Sequence, residues 1–172
     1  MFTQYKIQSV LTGILILISA TVALAGNTSS TENQISALET MCSESASAQT
    51  DRQSKNSLYN RLGGYDKILE FTSEVVRRHY INDSIKHMFT NVDPKLVAKH
   101  VADFVAAGTG GTAQYTGRSM PASHAHLDLT DADFLSAGGD IVGAMKSVGY
   151  GQNEIDEMLC ILMSLKDQVV FK

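Results

Sequence analysis

The stretch that decides the fold is residues 115–134, which read YTGRSMPASHAHLDLTDADF. Residues 111–129 show no sustained hydrophobic period and contain Pro121, so we expect a loop with at most one turn of helix. His124 lies in this irregular segment. Thr130 then offers a capping side chain for a new helix. The pattern therefore predicts a histidine carried on a short connection between two helices.

On both sides of this stretch, apolar residues recur with the spacing of α-helices. Asp93-Pro94 is a typical helix start, because a capping side chain precedes a proline in the first turn. No stretch alternates apolar and polar residues as a half-buried strand does. The sequence predicts an all-α domain with four substantial helices, preceded by a short helical piece at Leu58-Tyr59. They cover residues 66–81, 94–107, 130–148 and the segment that starts at Asn153.

The composition narrows the classes of function. With 172 residues, a formal net charge of -4 and a pI near 5.7, the chain is about one domain long and has no basic field for nucleic acid. Two cysteines exclude a disulfide-dense scaffold and a four-cysteine zinc site. A nucleophilic pair at Ser123-His124 lacks the glycines of a nucleophile elbow. A zinc site from His124, His126 and Asp128 lacks the spacing of a helical zinc motif.

The N-terminal segment is typical of an export signal. Lys6 provides a positive start, residues 10–24 are almost wholly apolar, and Ala23-Leu24-Ala25 matches a signal-peptidase site. We expect residues 1–25 to be a cleaved signal peptide and the protein to be exported to the periplasm. An uncleaved membrane anchor formed by residues 8–25 stays open as the alternative.

Residues 26–56 are rich in Ser, Thr, Asn, Gln and Glu, and we expect most of this zone to be a solvated linker before a compact domain at residues 57–172. One apolar stripe of a short helix is possible within it, formed by Ile35, Leu38 and Met41. The linker carries Cys42, and the last helix carries Cys160 on a polar face. Paired cysteines tend to bridge in an oxidising compartment. A Cys42–Cys160 disulfide and two free thiols both stay open.

The histidines are the chemically informative residues. His100 lies within the apolar face of its predicted helix, and His79 ends the apolar face of another. A single histidine on such a face is more often a satisfied core residue than a ligand. Together with His124, however, imidazoles approach an apolar interior from different elements. That arrangement is what a haem iron requires.

A specific motif accompanies these histidines. It is the run Tyr115-x-Gly117-Arg118-x-Met120-x-x-x-His124-x-x-Leu127-x-Leu129-Thr130-x-x-x-Phe134, set at a defined distance from Gly63-Gly64 and Gly110-Gly111. Further matching residues are Leu58-Tyr59, Leu62, Phe89 and Phe104. With them, the segment from Leu58 to Val170 resembles the group I truncated haemoglobins. The resemblance implies the globin-like, truncated 2-over-2 helical sandwich.

The resemblance also implies a cofactor, haem b, with His124 as the proximal iron ligand. The neighbouring His126 is then an exposed loop histidine. Phe89 matches the family's haem-packing phenylalanine, and Met120 would line the proximal side. Arg118 either pairs with a haem propionate or is a plain surface arginine.

The distal side departs from the family pattern. Members usually carry a tyrosine and glutamines that donate hydrogen bonds to a bound diatomic ligand, and here these positions are Val76, Val97 and Val101. Valine side chains cannot donate. Tyr80 could substitute only if it turns inward. His100 occupies a position where some members carry a histidine that binds the iron, and His79 is the alternative sixth ligand.

The resemblance therefore implies a protein that binds oxygen, nitric oxide and carbon monoxide, with a histidine on the distal side. Nitric oxide or peroxide detoxification, electron transfer with an unknown redox partner, and non-catalytic haem-based sensing are the alternatives, so enzymatic activity stays open. No nucleic-acid partner is expected. Contact with a membrane is expected only if the N-terminal segment is uncleaved.

Overall fold

The computed structural model describes residues 30–172, and every regular element in that range is helical. This confirms the all-α prediction. The predicted signal peptide, residues 1–25, lies outside the described residues. None of the described helices combines the length and the apolar character needed to cross a bilayer. In chain order the helices are α1 (Ser30–Lys55), α2 (Leu58–Arg61), α3 (Gly64–His79), α4 (Pro94–Gly108), α5 (Met120–His124), α6 (Asp131–Ser147) and α7 (Gln152–Leu165), with 3₁₀ turns at Lys86–Phe89, Ala125–Leu127 and Lys166–Gln168.

The helix starts follow from their capping residues. The Asp93 side chain accepts a hydrogen bond from the Lys95 amide at 2.9 Å, directly before Pro94. At α6, Thr130 and Asp133 form a reciprocal capping box. These predicted starts are confirmed. Helix α3 begins at Gly64, slightly before the predicted Asp66, because the preceding glycine takes a left-handed φ of 85° that turns the chain into the helix.

Helix α3 is at the centre, packed against α4 on one side and α6 on the other, with α7 against α6. Alanines on α4 let its backbone approach α3 closely. The buried Thr72 hydroxyl of α3 donates to the Ala98 carbonyl of α4 at 3.0 Å, which fixes the crossing. The fully buried core contains Leu62, Ile68, Phe71 and Met145.

The expectation of a solvated linker was wrong for residues 30–55, which form one continuous helix, α1. Its sequence is polar, and Ile35 is its one fully buried residue. Contacts with α7 and α6 hold it in place, and such tertiary contacts do not show in local composition. Residues 30–55 are therefore part of the packed structure.

Covalent and polar bonds fasten α1 to the rest of the fold. Of the two alternatives for the cysteines, the structure contains the disulfide, which joins Cys42 to Cys160 of α7 with a Cα–Cα distance of 5.4 Å. Further along α1, the Arg52 Nε lies 2.5 Å from Oε1 of the buried Glu157. Gln53 Oε1 accepts from the Leu58 amide at 2.7 Å, so α1 also holds the start of α2.

Candidate functional site

His124 stands at the end of α5, a helix of only five residues. Its Nδ1 lies 2.9 Å from the Met120 carbonyl oxygen. A carbonyl only accepts, so Nδ1 carries the proton, and in the neutral tautomer with this hydrogen bond the lone pair is on Nε2. This is the arrangement in which a histidine is ready to bind a metal through Nε2. His126, on the following 3₁₀ turn, is exposed.

The connection before α5 is tied down by Tyr115. The Tyr115 hydroxyl donates to the Arg118 carbonyl at 2.7 Å, and the ring meets Phe104 of α4 edge-on at 5.3 Å. Its phenol covers Gly117, where a Cβ would collide with the ring. Burial raises the pKa of Tyr115, which keeps the hydroxyl protonated as a donor. The Tyr-x-Gly-Arg run thus has a structural role, since it fixes where α5 begins and therefore where His124 lies.

The three valines of the predicted distal side lie on α3 and α4. Val76 is buried, and Val97 and Val101 are half-buried on the strip of α4 beside the alanines that face α3. The Tyr80 hydroxyl donates to the Val92 carbonyl at 2.6 Å. That proton is already engaged, so Tyr80 does not replace the missing distal donor.

The two candidate distal histidines differ in their surroundings. His100 is exposed at the edge of the α4 strip that carries Val97 and Val101. His79 has a 12% exposed side chain, with Nδ1 2.9 Å from Oδ2 of Asp140 on α6. Burial lowers the pKa of His79, although the Asp140 carboxylate acts in the opposite direction, so the ring is neutral near pH 7.

Asp140 is the residue that sequence reasoning missed. It is the one charged residue within residues 134–145, an otherwise apolar and small stretch of α6. A lone carboxylate in such a stretch needs a partner, and this was the available signal. Which partner it has depends on how α3 and α6 pack, and that does not follow from spacing along the chain.

The other predicted site residues take distinct places. Phe89 is half-buried at the end of its 3₁₀ turn, and Met120 is half-buried as the first residue of α5. Arg118 is exposed, two residues before α5 begins at Met120. These placements leave the assigned roles of the three residues as predictions.

The donor set and the walls of this region fit an iron porphyrin. Within residues 30–172 no group of three His, Cys, Asp or Glu side chains is arranged to hold a metal ion. A haem needs only one or two imidazoles from the protein, because its own ring supplies the remaining ligands. Helix α5 contains no buried residue, and the apolar side chains of Met120, Phe89, Val97 and Val101 are only partly buried. These apolar side chains suit the faces and edges of a flat apolar group.

Comparison with known proteins also indicates a haem-binding globin. The family model described as bacterial-like globin matches residues 57–171. A group 1 truncated hemoglobin from Synechocystis sp. is 28% identical over 110 residues, which cover 62% of this chain and 89% of the relative. One from Tetrahymena pyriformis is 22% identical over 115 residues, covering 67% and 95%.

Solved structures share the fold. The Fe(III) form of the truncated hemoglobin from Tetrahymena pyriformis has a TM-score of 0.65 at 21% identity, covering 68% of this chain and 100% of that one. The 2/2 hemoglobin from Synechococcus sp. PCC 7002, in the cyanomet state with covalently attached heme, has a TM-score of 0.60 at 28% identity, covering 65% and 94%. The resemblance read from the motif is thereby confirmed: the chain belongs to the bacterial-like globin family as a truncated haemoglobin, with haem b as its cofactor.

Proposed function

We propose that this protein is an exported haemoglobin that binds small diatomic ligands in competition with one of its own histidines. The observation that carries the haem-binding part of the proposal is the His124 side chain, whose Nδ1 is engaged with the Met120 carbonyl so that Nε2 is the free ligand atom. When bound, haem supplies an iron at which diatomic molecules coordinate and through which one electron can pass.

On the proximal side, His124 holds the cofactor. Met120 and Phe89 offer apolar contacts to it, and the exposed Arg118 guanidinium is free to face a propionate carboxylate. Tyr115 orients the turn that leads into α5, so the direction of His124 is set before any cofactor enters.

On the distal side we assign His100 as the sixth ligand. It lies on the strip of α4 that also presents Val97 and Val101, and it is exposed and free to turn. His79 instead has its ring stacked on Phe89, with centroids 5.3 Å apart and planes at 29°. A phenyl ring that packs on the haem with its other face would separate His79 from the iron.

The three distal valines determine which interactions an incoming ligand can make beside the iron. Without a hydroxyl or amide donor at positions 76, 97 and 101, a bound polar ligand gains no hydrogen bond there. Slow oxygen release and efficient nitric oxide dioxygenation are therefore not favoured. Coordination by His100 favours a second candidate function, one-electron transfer to a redox partner, because both oxidation states keep the same ligands.

Absorption spectra of the purified haem protein test the distal assignment. We expect low-spin, six-coordinate ferric and ferrous spectra without added ligand, and His100→Leu should convert both to high spin and speed carbon monoxide binding. His79→Leu is the matched control and should stay low spin. A high-spin wild type at neutral pH, or conversion in His79→Leu alone, contradicts the assignment.

Export is supported by the signal-like pattern of residues 1–25 and by the Cys42–Cys160 disulfide, since such bonds persist in oxidising compartments. N-terminal sequencing of protein from the periplasmic fraction should begin at Gly26. Recovery of the intact chain in the membrane fraction would favour the anchor formed by residues 8–25.

A further inference from the structure

We propose that His79 and Asp140 are a positioning pair that holds Phe89 in its place beside the haem. The pair joins the end of α3 to the middle of α6, and it acts on the cofactor only through Phe89. The inference rests on the proposed haem site and adds a role for two residues outside the iron ligands.

The first support is the hydrogen-bond network around the Asp140 carboxylate. Its Oδ2 accepts from His79 Nδ1 at 2.9 Å and from Asn82 Nδ2 at 2.8 Å. The Asn82 amide also lies 3.0 Å from Ser136 Oγ, one turn earlier on α6. Because an ionised carboxylate only accepts, both nitrogens are donors in this arrangement. Two donors, one at the end of α3 and one in the turn that follows it, are thus anchored at one point on α6.

The second support is the contact between His79 and Phe89. The imidazole stacks on the phenyl ring at 5.3 Å, and the ring of Tyr80 contacts Phe89 at 5.4 Å with a tilt of 43°. Tyr80 is itself fixed through its bond to the Val92 carbonyl. Phe89 is therefore held by two consecutive aromatic side chains from the end of α3.

The two supports act together because the hydrogen bond sets the orientation of the imidazole plane. The His79 ring is oriented by its hydrogen bond to Asp140 and by its contact with Phe89, and removing Asp140 leaves the contact without that hydrogen bond. A ring free to rotate stacks less well, and Phe89 then samples more positions. Asp140 thus acts at a distance, through His79, on a side chain that packs on the haem.

The test uses the haem-loaded protein and its carbon monoxide complex. Asp140→Leu removes the acceptor, whereas Asp140→Asn keeps an oxygen that can accept from His79 Nδ1. His79→Phe keeps a ring on Phe89 but removes the donor. We expect Asp140→Leu and His79→Phe to broaden or split the infrared C–O stretch. They should also release haem to an acceptor globin about tenfold faster, as loss of one charge-assisted hydrogen bond allows. Asp140→Asn should stay close to wild type.

Met145→Ala, far along α6 in the packed core, is the control for general destabilisation. It should lower the unfolding midpoint without changing the C–O stretch. The inference is overturned if Asp140→Leu behaves like Met145→Ala, or if all variants match wild type. It is equally overturned if His79→Phe becomes high spin while Asp140→Leu stays low spin, because His79 is then an iron ligand. A wild type that takes up no haem would instead defeat the proposed function itself.

Discussion

The two ends of helix α6 are built differently, although one apolar stripe runs along both. At the C-terminal end, Ala144 and Met145 are completely buried against the core around Phe71 of α3. At the N-terminal end, Phe134 continues the stripe but is only partly buried. Helix α5, which precedes that end in the chain, has no buried residue.

The difference shows that the same periodicity serves two purposes. The packed end is filled by protein side chains alone and belongs to the hydrophobic core. The open end, meaning Phe134 of α6 together with the preceding α5, presents apolar side chains and the free Nε2 of His124. Such a surface suits a flat cofactor with a metal at its centre. A stripe pattern predicts which residues face inward, but not what they face.

The largest effect is expected at the open end, from His124→Ala. Loss of the proximal ligand should abolish stable haem retention, measured as the haem-to-protein ratio after gel filtration, while the helical content stays near wild type. His126→Ala is the control, since that exposed side chain lies two residues away. Haem loss in His126→Ala with retention in His124→Ala would reverse the assignment.

The next effect concerns the disulfide that fastens α1 over α7. The double variant Cys42→Ser, Cys160→Ser opens a loop with a sequence separation of 118 residues. The chain-entropy model gives a loss of about 4–5 kcal/mol in the free energy of unfolding. Urea titration of the variant, with the reduced wild type as its match, measures this loss. An unchanged midpoint would show that the bond adds nothing to the packed end.

The smallest effect is expected from a pair of substitutions that compares the two ends of α6 directly. Met145→Ala should cost about 2–5 kcal/mol of unfolding free energy with or without haem, because it leaves a cavity in the core. Phe134→Ala should cost less in the haem-free protein, since its side chain is only partly buried, and more once haem is bound. Urea unfolding of both forms checks the pair. Equal costs in the haem-free state would break the comparison.

Most of the fold was predictable from local signals. Caps at Asp93 and Thr130, and periodic apolar faces, predicted the helices of the globin domain almost to the residue. Helix α1 was not, because its polar sequence has one fully buried residue, and its stability comes from Cys160 and Glu157 more than 100 positions away. Propensity within a window contains no information on partners at that distance.

For the site, the sequence by itself determined which residue types are available: a histidine on a short turn, valines at the distal positions, and histidines on α3 and α4. Only the tertiary structure decided their states. It engaged His124 Nδ1 with a carbonyl, turned the Tyr80 hydroxyl toward Val92, and paired His79 with Asp140 across two helices. The physical reason is that hydrogen bonds depend on distance and direction in space, and helix packing sets both only after the chain has folded.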